Sequence, residues 1–472
     1  MADKRINVAI VGGGLAGMAA ADVLGRYGVK VLVLDDNLHP GGQYLRGGRQ
    51  AGRSWMDPVR HRGLSLIEQS PQPSVEIVNR AEVLGIESGF ELLVADGNAG
   101  ISTVGCNHVL LATGARERFV PFKGWTLPGV LATGAIQILI KQSGILPAAE
   151  TLVAGAGLFL TAVARDIHKS GGRVPAVLDE APFSKRMPAP GILAQQFVKF
   201  VQGGAMLARL RLAGTDVRSA TRIIEARGDD GLREVVAARV DRSGGVIPDS
   251  ETTYRAGCLG IGFGFAANVE LAQVAGCGLA FNSGMGGWVV KVNEDLETSA
   301  EGIYAAGEIT AIGGAAKSLI EGRLAGFAIL QRMGRANSNN MRREIPALKK
   351  ARRRQMAFAR YFNAQYDVAP AYMAAWLRSL PDDVPVCRCE AVNLGDIRRA
   401  VADGFDTPAA VKKATRCGMG ICQGSTCKTM LLDLLAALTG KPIAHLPFPS
   451  VRVPVKPVCL GALAGEGRTS PL

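Results

Sequence analysis

A chain of 472 residues with five histidines, four tryptophans and no Cys-x-x-Cys pair is short of several common means of catalysis. The missing Cys-x-x-Cys argues against disulfide reduction by a vicinal dithiol. No Ser/His/Asp or paired-carboxylate constellation stands out, so acid–base and nucleophilic hydrolysis have no visible machinery. Apolar runs such as 256–281 are broken by polar residues before reaching the roughly 20 needed to cross a bilayer. The N-terminal MADKRINVAIVGGG passes straight into a strand and lacks a cleavable signal pattern. These absences predict a cytoplasmic protein, with peripheral attachment at the inner face of the membrane as the other compatible location. Thiols stay reduced there, and clustered cysteines serve metals or redox chemistry. The net charge of +13 comes with no zinc finger, recognition helix or aromatic–basic RNA motif, which argues against nucleic acid. The basic stretch RREIPALKKARRR at 342–354 reads as a solvated helix or a docking face for an acidic partner.

What is present is an ordinary soluble composition, 48% hydrophobic and 20% charged, long enough for more than one domain. The 59 glycines fall into motifs. INVAIV (6–11) is a short buried-type strand, followed by GGGLAG, a helix of small residues and a second strand ending at Asp35. This order is a complete dinucleotide-binding βαβ unit. Gly12 makes the tight turn, Gly14 lets the backbone approach a pyrophosphate, and Gly17 lets helix and strand pack closely. The helix start offers amides to the phosphates, and Asp35, eighteen residues after Gly17, is placed for the ribose hydroxyls. The loop HPGGQYLRGG (39–48), with Gly42 and Gln43, suits a position near a flavin. HVLLATGARER (108–118) is a strand ending at Ala112, Thr113 and Gly114, where glycine permits close approach to a cofactor.

The pattern repeats at TLVAGAGLFLTAVA (151–164) and VPAVLDE (174–180), ending at Asp179. Gly155 and Gly157 hold the first two glycine positions, but the third is Leu160. A bulky side chain there degrades the phosphate cradle, so the second fold reads as a Rossmann-like scaffold that has lost its ligand or holds a different one, rather than a pyridine-nucleotide site. Later, GIYAAGEITAIGG gives a strand, then Gly307 and Glu308, a carboxylate positioned to accept ribityl hydroxyls. Residues 336–380 read as a helical connector whose Tyr361, Phe362, Tyr366, Tyr372 and Trp376 pack a domain interface.

Five of the nine cysteines lie between 386 and 427. Cys387 and Cys389 form a Cys-x-Cys pair, and Cys422 and Cys427 a Cys-x4-Cys pair, with Cys417 just ahead. Two tight thiol pairs suit four converging thiolates, for which iron–sulfur and zinc are both open.

The Gly12–Gly17 turn with Asp35, then ATGA and GIYAAGE, resemble the two-dinucleotide-domain flavoproteins, thioredoxin reductases among them. That resemblance implies an α/β fold with two Rossmann-like domains and FAD, or another adenine nucleotide, in the first. The family's ribityl residue is usually Asp, where this chain has Glu308. The cysteine segment resembles the helical bacterioferritin-associated-ferredoxin-like (BFD-like) iron–sulfur domain, which implies a 2Fe–2S cluster on Cys387, Cys389, Cys422 and Cys427. Cys417 lies outside that pattern and reads as a spare thiol, near enough to Cys422 for ligand exchange.

With GWTLPGV, GEITAIGG and TRCGMGICQGSTC, nearly the whole chain is similar to the α (A) subunits of multi-subunit dye-linked amino-acid and opine dehydrogenases. The resemblance implies a relay role in a hetero-oligomer. A D-amino-acid-oxidase-like FAD β subunit would oxidise the substrate's C–N bond, with a small third subunit in the complex. It also implies FMN at a subunit interface in some members and a quinone or protein acceptor. The expected boundaries are 1–119 with 281–335 for the FAD domain, 120–280 for the second Rossmann-like domain and 336–385 for the basic connector. The BFD-like domain takes 386–440 and a Pro-rich tail 441–472. Two other readings stand beside this one: a self-contained NAD(P)H-dependent flavin/iron–sulfur reductase, and a zinc-stabilised scaffold.

Overall fold

The computed structural model describes residues 5–46, 58–68, 72–96, 100–181, 190–195, 197–335, 339–364 and 370–464. Tyr366, positions 47–48 of the glycine-rich loop and the end of the tail lie outside them. The chain forms two compact units. One comprises residues 1–116, 267–360 and 450–472, the other 117–266 and 361–449.

In the first unit the strands Val75–Asn79, Val31–Asp35, Ile6–Val11 and Ile101–Leu111 run parallel in that spatial order. Glu91–Ala95 and Glu82–Glu87 extend the sheet antiparallel, and Ile303–Ala305 pairs with Ile101–Leu111. Val8, Ala9 and Ile10 are fully buried, as a central parallel strand covered on both faces requires. The helix Leu15–Arg26 presents Ala16, Ala20 and Val23 to the helix Ala315–Arg332. The order reverses at the carboxyl ends of Ile6–Val11 and Ile101–Leu111, where open α/β sheets bind ligands. The basic segment is the helix Asn339–Ala364, which runs through Pro346. Much of its charge is paired: Lys349 with Asp295, Arg352 with Glu321 and Arg323 with Glu344.

The second unit has a five-stranded parallel sheet in the order Asp216–Ser219, Ala176–Asp179, Thr151–Gly155, Cys258–Gly262, Val130–Ala132. A three-stranded antiparallel sheet, Thr221–Arg227, Glu234–Arg239 and Thr252–Arg255, accounts for the alternating stretch after 217. The cysteine segment follows in this unit, with helices Leu394–Ala402, Pro408–Thr415 and Cys427–Thr439. The first starts in a capping box formed by Asn393 and Asp396. Thr407 caps the second, with Pro408 behind it at the first helical position. Among the described residues no helix is long and apolar enough to cross a membrane.

Candidate functional site

The first glycine turn is shaped by contacts that exclude side chains. Gly12 has φ +105°, and a Cβ there would lie 2.3 Å from the Ala112 carbonyl oxygen; at Gly17 it would lie 2.0 Å from the Gly12 oxygen. Only glycine allows helix and strand to close in this way. Asp35 is buried, accepting from the Gly13 amide at 2.5 Å and from the Asn37 amide and side chain at 2.8 Å. A carboxylate has about four lone-pair positions, so one remains for a ribose hydroxyl. Gly42 folds over Gly14, where a Cβ would sit 3.1 Å from the Gly14 Cα, and the Gly41 amide donates to the Gly13 oxygen at 2.8 Å. Gln43 lies one residue on, in the short helix Gly42–Leu45. Thr113 and Gly114 are held by the neighbouring strand: Thr113 donates to the Asn268 oxygen at 2.7 Å, and Asn268 donates back from side chain and backbone. Arg116 braces that clasp through Asn268 Oδ1 and a bidentate pair with Glu270.

Gly307, with φ +87°, turns the chain after Ile303–Ala305. Glu308 lies at the start of the helix Ala315–Arg332 and accepts from the Gly314 amide at 2.8 Å. Burial raises its pKa, and Lys317 and the helix-start amides act against that rise. Beneath this loop is an ionic knot that sequence reasoning missed. Lys317 and Glu321 are both 0% exposed, and Lys317 Nζ donates to the Gly307 oxygen, Thr310 Oγ1 and Glu321 Oε2 at 2.6–2.8 Å. Glu321 also accepts from the Gly307 amide at 2.9 Å and from Arg352 at 2.8 Å. Burial alone would raise the Glu321 pKa, but Lys317 and Arg352 outweigh it and hold the carboxyl below its usual range. The available signal was the Lys–Glu spacing of four inside an otherwise apolar helix.

The second glycine turn keeps the backbone shape and changes the residues around it. Gly155 has φ +137°, and Asp179 accepts from the Gly157 amide at a long 3.4 Å. Leu160 is fully buried among Ile136, Val153 and Val163. The strand ends at this turn are lined by Glu117, Thr133, Ala156, Phe159, Leu160 and Gly262. Glu117 accepts there from Thr133 Oγ1 at 2.6 Å and the Gly134 amide at 2.9 Å, a carboxylate where a pyrophosphate would need positive charge. Beyond Asp179, Glu180 pairs with buried Arg222 at 2.7 Å, and the guanidinium lies 4.8 Å from the Tyr372 ring and 4.4 Å from the Trp376 ring. Of the aromatics expected to pack an interface, Tyr372 and Trp376 thus pack on the arginine that pairs with Glu180, just after the strand Ala176–Asp179.

The same unit holds the thiols. Cys387 ends the strand Pro385–Cys387, and Cys427 opens the helix Cys427–Thr439. The Sγ atoms of Cys387, Cys417 and Cys427 lie within 4.8 Å of one another, all three buried. Cys389 faces Cys422 nearer the surface. The Cys417 thiol is the largest influence drawing Cys387 down to about 5, and hydrogen bonds to Cys387 and Cys427 keep the proton on Cys417. Cys422 is lowered: burial acts against ionisation, but the amides of Thr426, Gly424 and Ser425 and the Cys389 thiol overcome it. Gly418 donates to Cys387 Sγ at 3.5 Å, and a Cβ on Gly420 would lie 2.2 Å from the Cys389 Cβ. Converging thiols, two of them with lowered pKa, and amides aimed at sulfur fit an iron–sulfur cluster. Cys417 therefore lies beside Cys387 and Cys427, away from the Cys389–Cys422 pair that its sequence position favoured. Trp125 explains GWTLPGV: its buried indole donates to the Pro385 oxygen at 2.7 Å, and Arg388 stacks on its ring. Arg118 pairs with Asp433 at 2.6 Å, tying the Cys427–Thr439 helix to the same unit.

A dinucleotide fold with an intact glycine cradle, a second with leucine at its third glycine position and a thiol-rich helical module define a flavoprotein oxidoreductase that carries an iron–sulfur domain. The chain belongs to the pyridine nucleotide-disulphide oxidoreductase family, whose profile matches residues 6–325, and carries a BFD-like [2Fe-2S] binding domain at 385–437. FAD and a 2Fe–2S cluster are the cofactors that these two modules take. The HcnB subunit of hydrogen cyanide synthase from Pseudomonas aeruginosa is 33% identical over 98% of this chain and 99% of its own length. An opine oxidase subunit from Rhizobium meliloti is 30% identical over 96% of this chain and 97% of its own. Among solved structures, L-proline dehydrogenase from P. horikoshii superposes with a TM-score of 0.69 at 20% identity, covering 97% of this chain and 79% of that one. These relatives by sequence are subunits of multi-subunit enzymes.

Proposed function

We propose that this chain is the electron-transfer subunit of a heteromeric amino-acid or opine dehydrogenase or oxidase. The observation that supports this most is that the first turn keeps all three glycines of the cradle, whereas the second has Leu160 at the third position and is lined by Phe159 and Glu117. A chain whose second turn departs from the pyridine-nucleotide pattern would receive its electrons from elsewhere, and relatives named as oxidase and synthase subunits point to a partner subunit as the source. When bound, FAD and the 2Fe–2S cluster supply the conversion between two-electron and one-electron steps.

The chain's own residues bind and position. Gly12, Gly14 and Gly17 would bring the pyrophosphate against the first amides of the helix Leu15–Arg26, and Asp35 would accept the ribose hydroxyls. Gly42 and Gln43 would close over the cofactor, with Thr113, Gly114 and Gly307 giving backbone approach. Glu308 would meet the ribityl chain while the Lys317–Glu321 knot keeps its loop in place. Cys387, Cys389, Cys422 and Cys427 would hold the cluster, with Trp125 and the Gly418 amide fixing the loops around it. The substrate's C–N bond would be oxidised on a D-amino-acid-oxidase-like FAD subunit, with a small third subunit, FMN at the contact, and a quinone or protein as acceptor.

The test is anaerobic purification with the co-expressed partner. The complex should be brown-yellow and show a rhombic paramagnetic signal once an amine substrate is added. Cys422→Ser should abolish the signal. A colourless, zinc-containing, iron-free protein would contradict the relay and favour a scaffold.

A further inference from the structure

The thiol group holds one cysteine more than four-cysteine ligation requires, and its five members divide into a buried trio and a shallower pair. Among the described residues, the trio is Cys387, Cys417 and Cys427, with Sγ atoms within 4.8 Å of one another. Cys389 is exposed and Cys422 partly so. For metal–sulfur bonds of about 2.3 Å, tetrahedral ligation sets two sulfurs on one metal roughly 3.8 Å apart. Each group can therefore serve one iron of a binuclear cluster, the pair with no surplus and the trio with one thiol to spare.

We propose that Cys389 and Cys422 hold the outer iron, that Cys387 and Cys427 hold the inner one, and that Cys417 is a built-in reserve ligand for the inner iron. This rests on the reading of the segment as a 2Fe–2S site. The backbone brings Cys417 into reach: Arg416, with φ +66°, ends the helix Pro408–Thr415 and turns the next residue inward. The Cys417 amide then donates to Thr415 Oγ1 at 3.2 Å, and the following Gly418, with φ +85°, carries the chain past Cys387 and Cys427. When Cys427 is replaced, the Cys417 thiol gives its proton to solvent and its sulfur forms the iron bond that Cys427 would have made. No electron is transferred in the exchange. The outer iron has no such reserve, because the remaining thiol is buried with the other two.

Alanine variants of the full chain separate the roles, read by iron and acid-labile sulfide per chain and by the paramagnetic signal of the reduced protein, with circular dichroism to check folding. Cys417→Ala should keep the wild-type signal. Cys427→Ala should keep about two irons per chain with shifted g values, and Cys387→Ala should behave likewise if the first variant does not fold. Cys417→Ala combined with Cys427→Ala should lose at least about nine-tenths of the iron, as should Cys422→Ala alone. Folded Cys427→Ala protein as iron-poor as the double variant, from a wild type that holds iron, would overturn the reserve role alone. Wild-type protein with zinc in place of iron would overturn the cluster reading and this inference with it.

Discussion

The two glycine turns are built on the same backbone plan and differ in the residues that line them. Each follows a buried parallel strand, each begins with a glycine at positive φ, and each has an aspartate at the end of the next strand accepting from a turn amide. They differ at one packing position and in what covers the mouth. Gly17 lets the Gly12 oxygen come within 2.0 Å of where its Cβ would be, whereas Leu160 sends a side chain into the core. The first mouth is bounded by glycine-rich loop and strand ends. The second is lined by Glu117 and Phe159, and beyond it the Glu180–Arg222 pair lies under Tyr372 and Trp376. The second unit also serves as a mount: its Trp125 and Arg118 hold the strand and helix that carry the cysteines.

Making the first turn like the second should have the largest effect. Gly17→Leu would force helix and strand apart, and purified protein should retain less than roughly a tenth of its flavin by absorbance near 450 nm. Next in size is the Lys317–Glu321 knot of the first unit. Lys317→Met leaves the Glu321 charge buried with one partner fewer and should cost about 3–5 kcal/mol in denaturant unfolding, and Glu321→Gln added to it should recover part of that loss. Making the second turn like the first should be smaller and purely structural. Leu160→Gly should destabilise by about 3 kcal/mol through the cavity it leaves and create no nucleotide binding, since Glu117, Phe159 and the Arg222 lock remain; calorimetric titration with NADH checks this.

The smallest effect concerns pH. The Glu321 pKa is depressed in the folded state, so its stabilisation is complete above the ordinary carboxylate pKa of about 4.3 and is lost as pH falls through the folded value. Unfolding midpoints should therefore drop across that acid window in the wild type, and drop less in Glu321→Gln.

Much of this contrast was legible in the sequence because it lies in local spacing. Gly12, Gly14, Gly17 and Asp35 are consecutive features of one supersecondary unit, and Leu160 announces the break in the second. The cysteine pairs were legible for the same reason. What was hidden depends on partners far apart in the chain. Glu180, Arg222 and Trp376 meet only once the second unit has folded, and Trp125 finds the Pro385 oxygen 260 residues away. Cys417 is the clearest instance. By number it belongs with Cys422, but a left-handed Arg416 sends it to Cys387 and Cys427, a direction that spacing does not encode. Glu308 was visible as a carboxylate after a strand-ending glycine. Its hydrogen bond to the Gly314 amide follows from a turn whose shape the distant Arg352 helps to set, through Glu321.

The central claim is that electrons enter from a partner and not from a pyridine nucleotide in the second fold. Rapid anaerobic mixing of the flavin-loaded protein with NADH or NADPH, followed at the flavin absorbance, tests it most directly. The account predicts no saturable bleaching at either nucleotide, while an amine substrate bleaches the flavin once the partner subunit is present. Fast, saturable reduction by NADH in the isolated chain would contradict it.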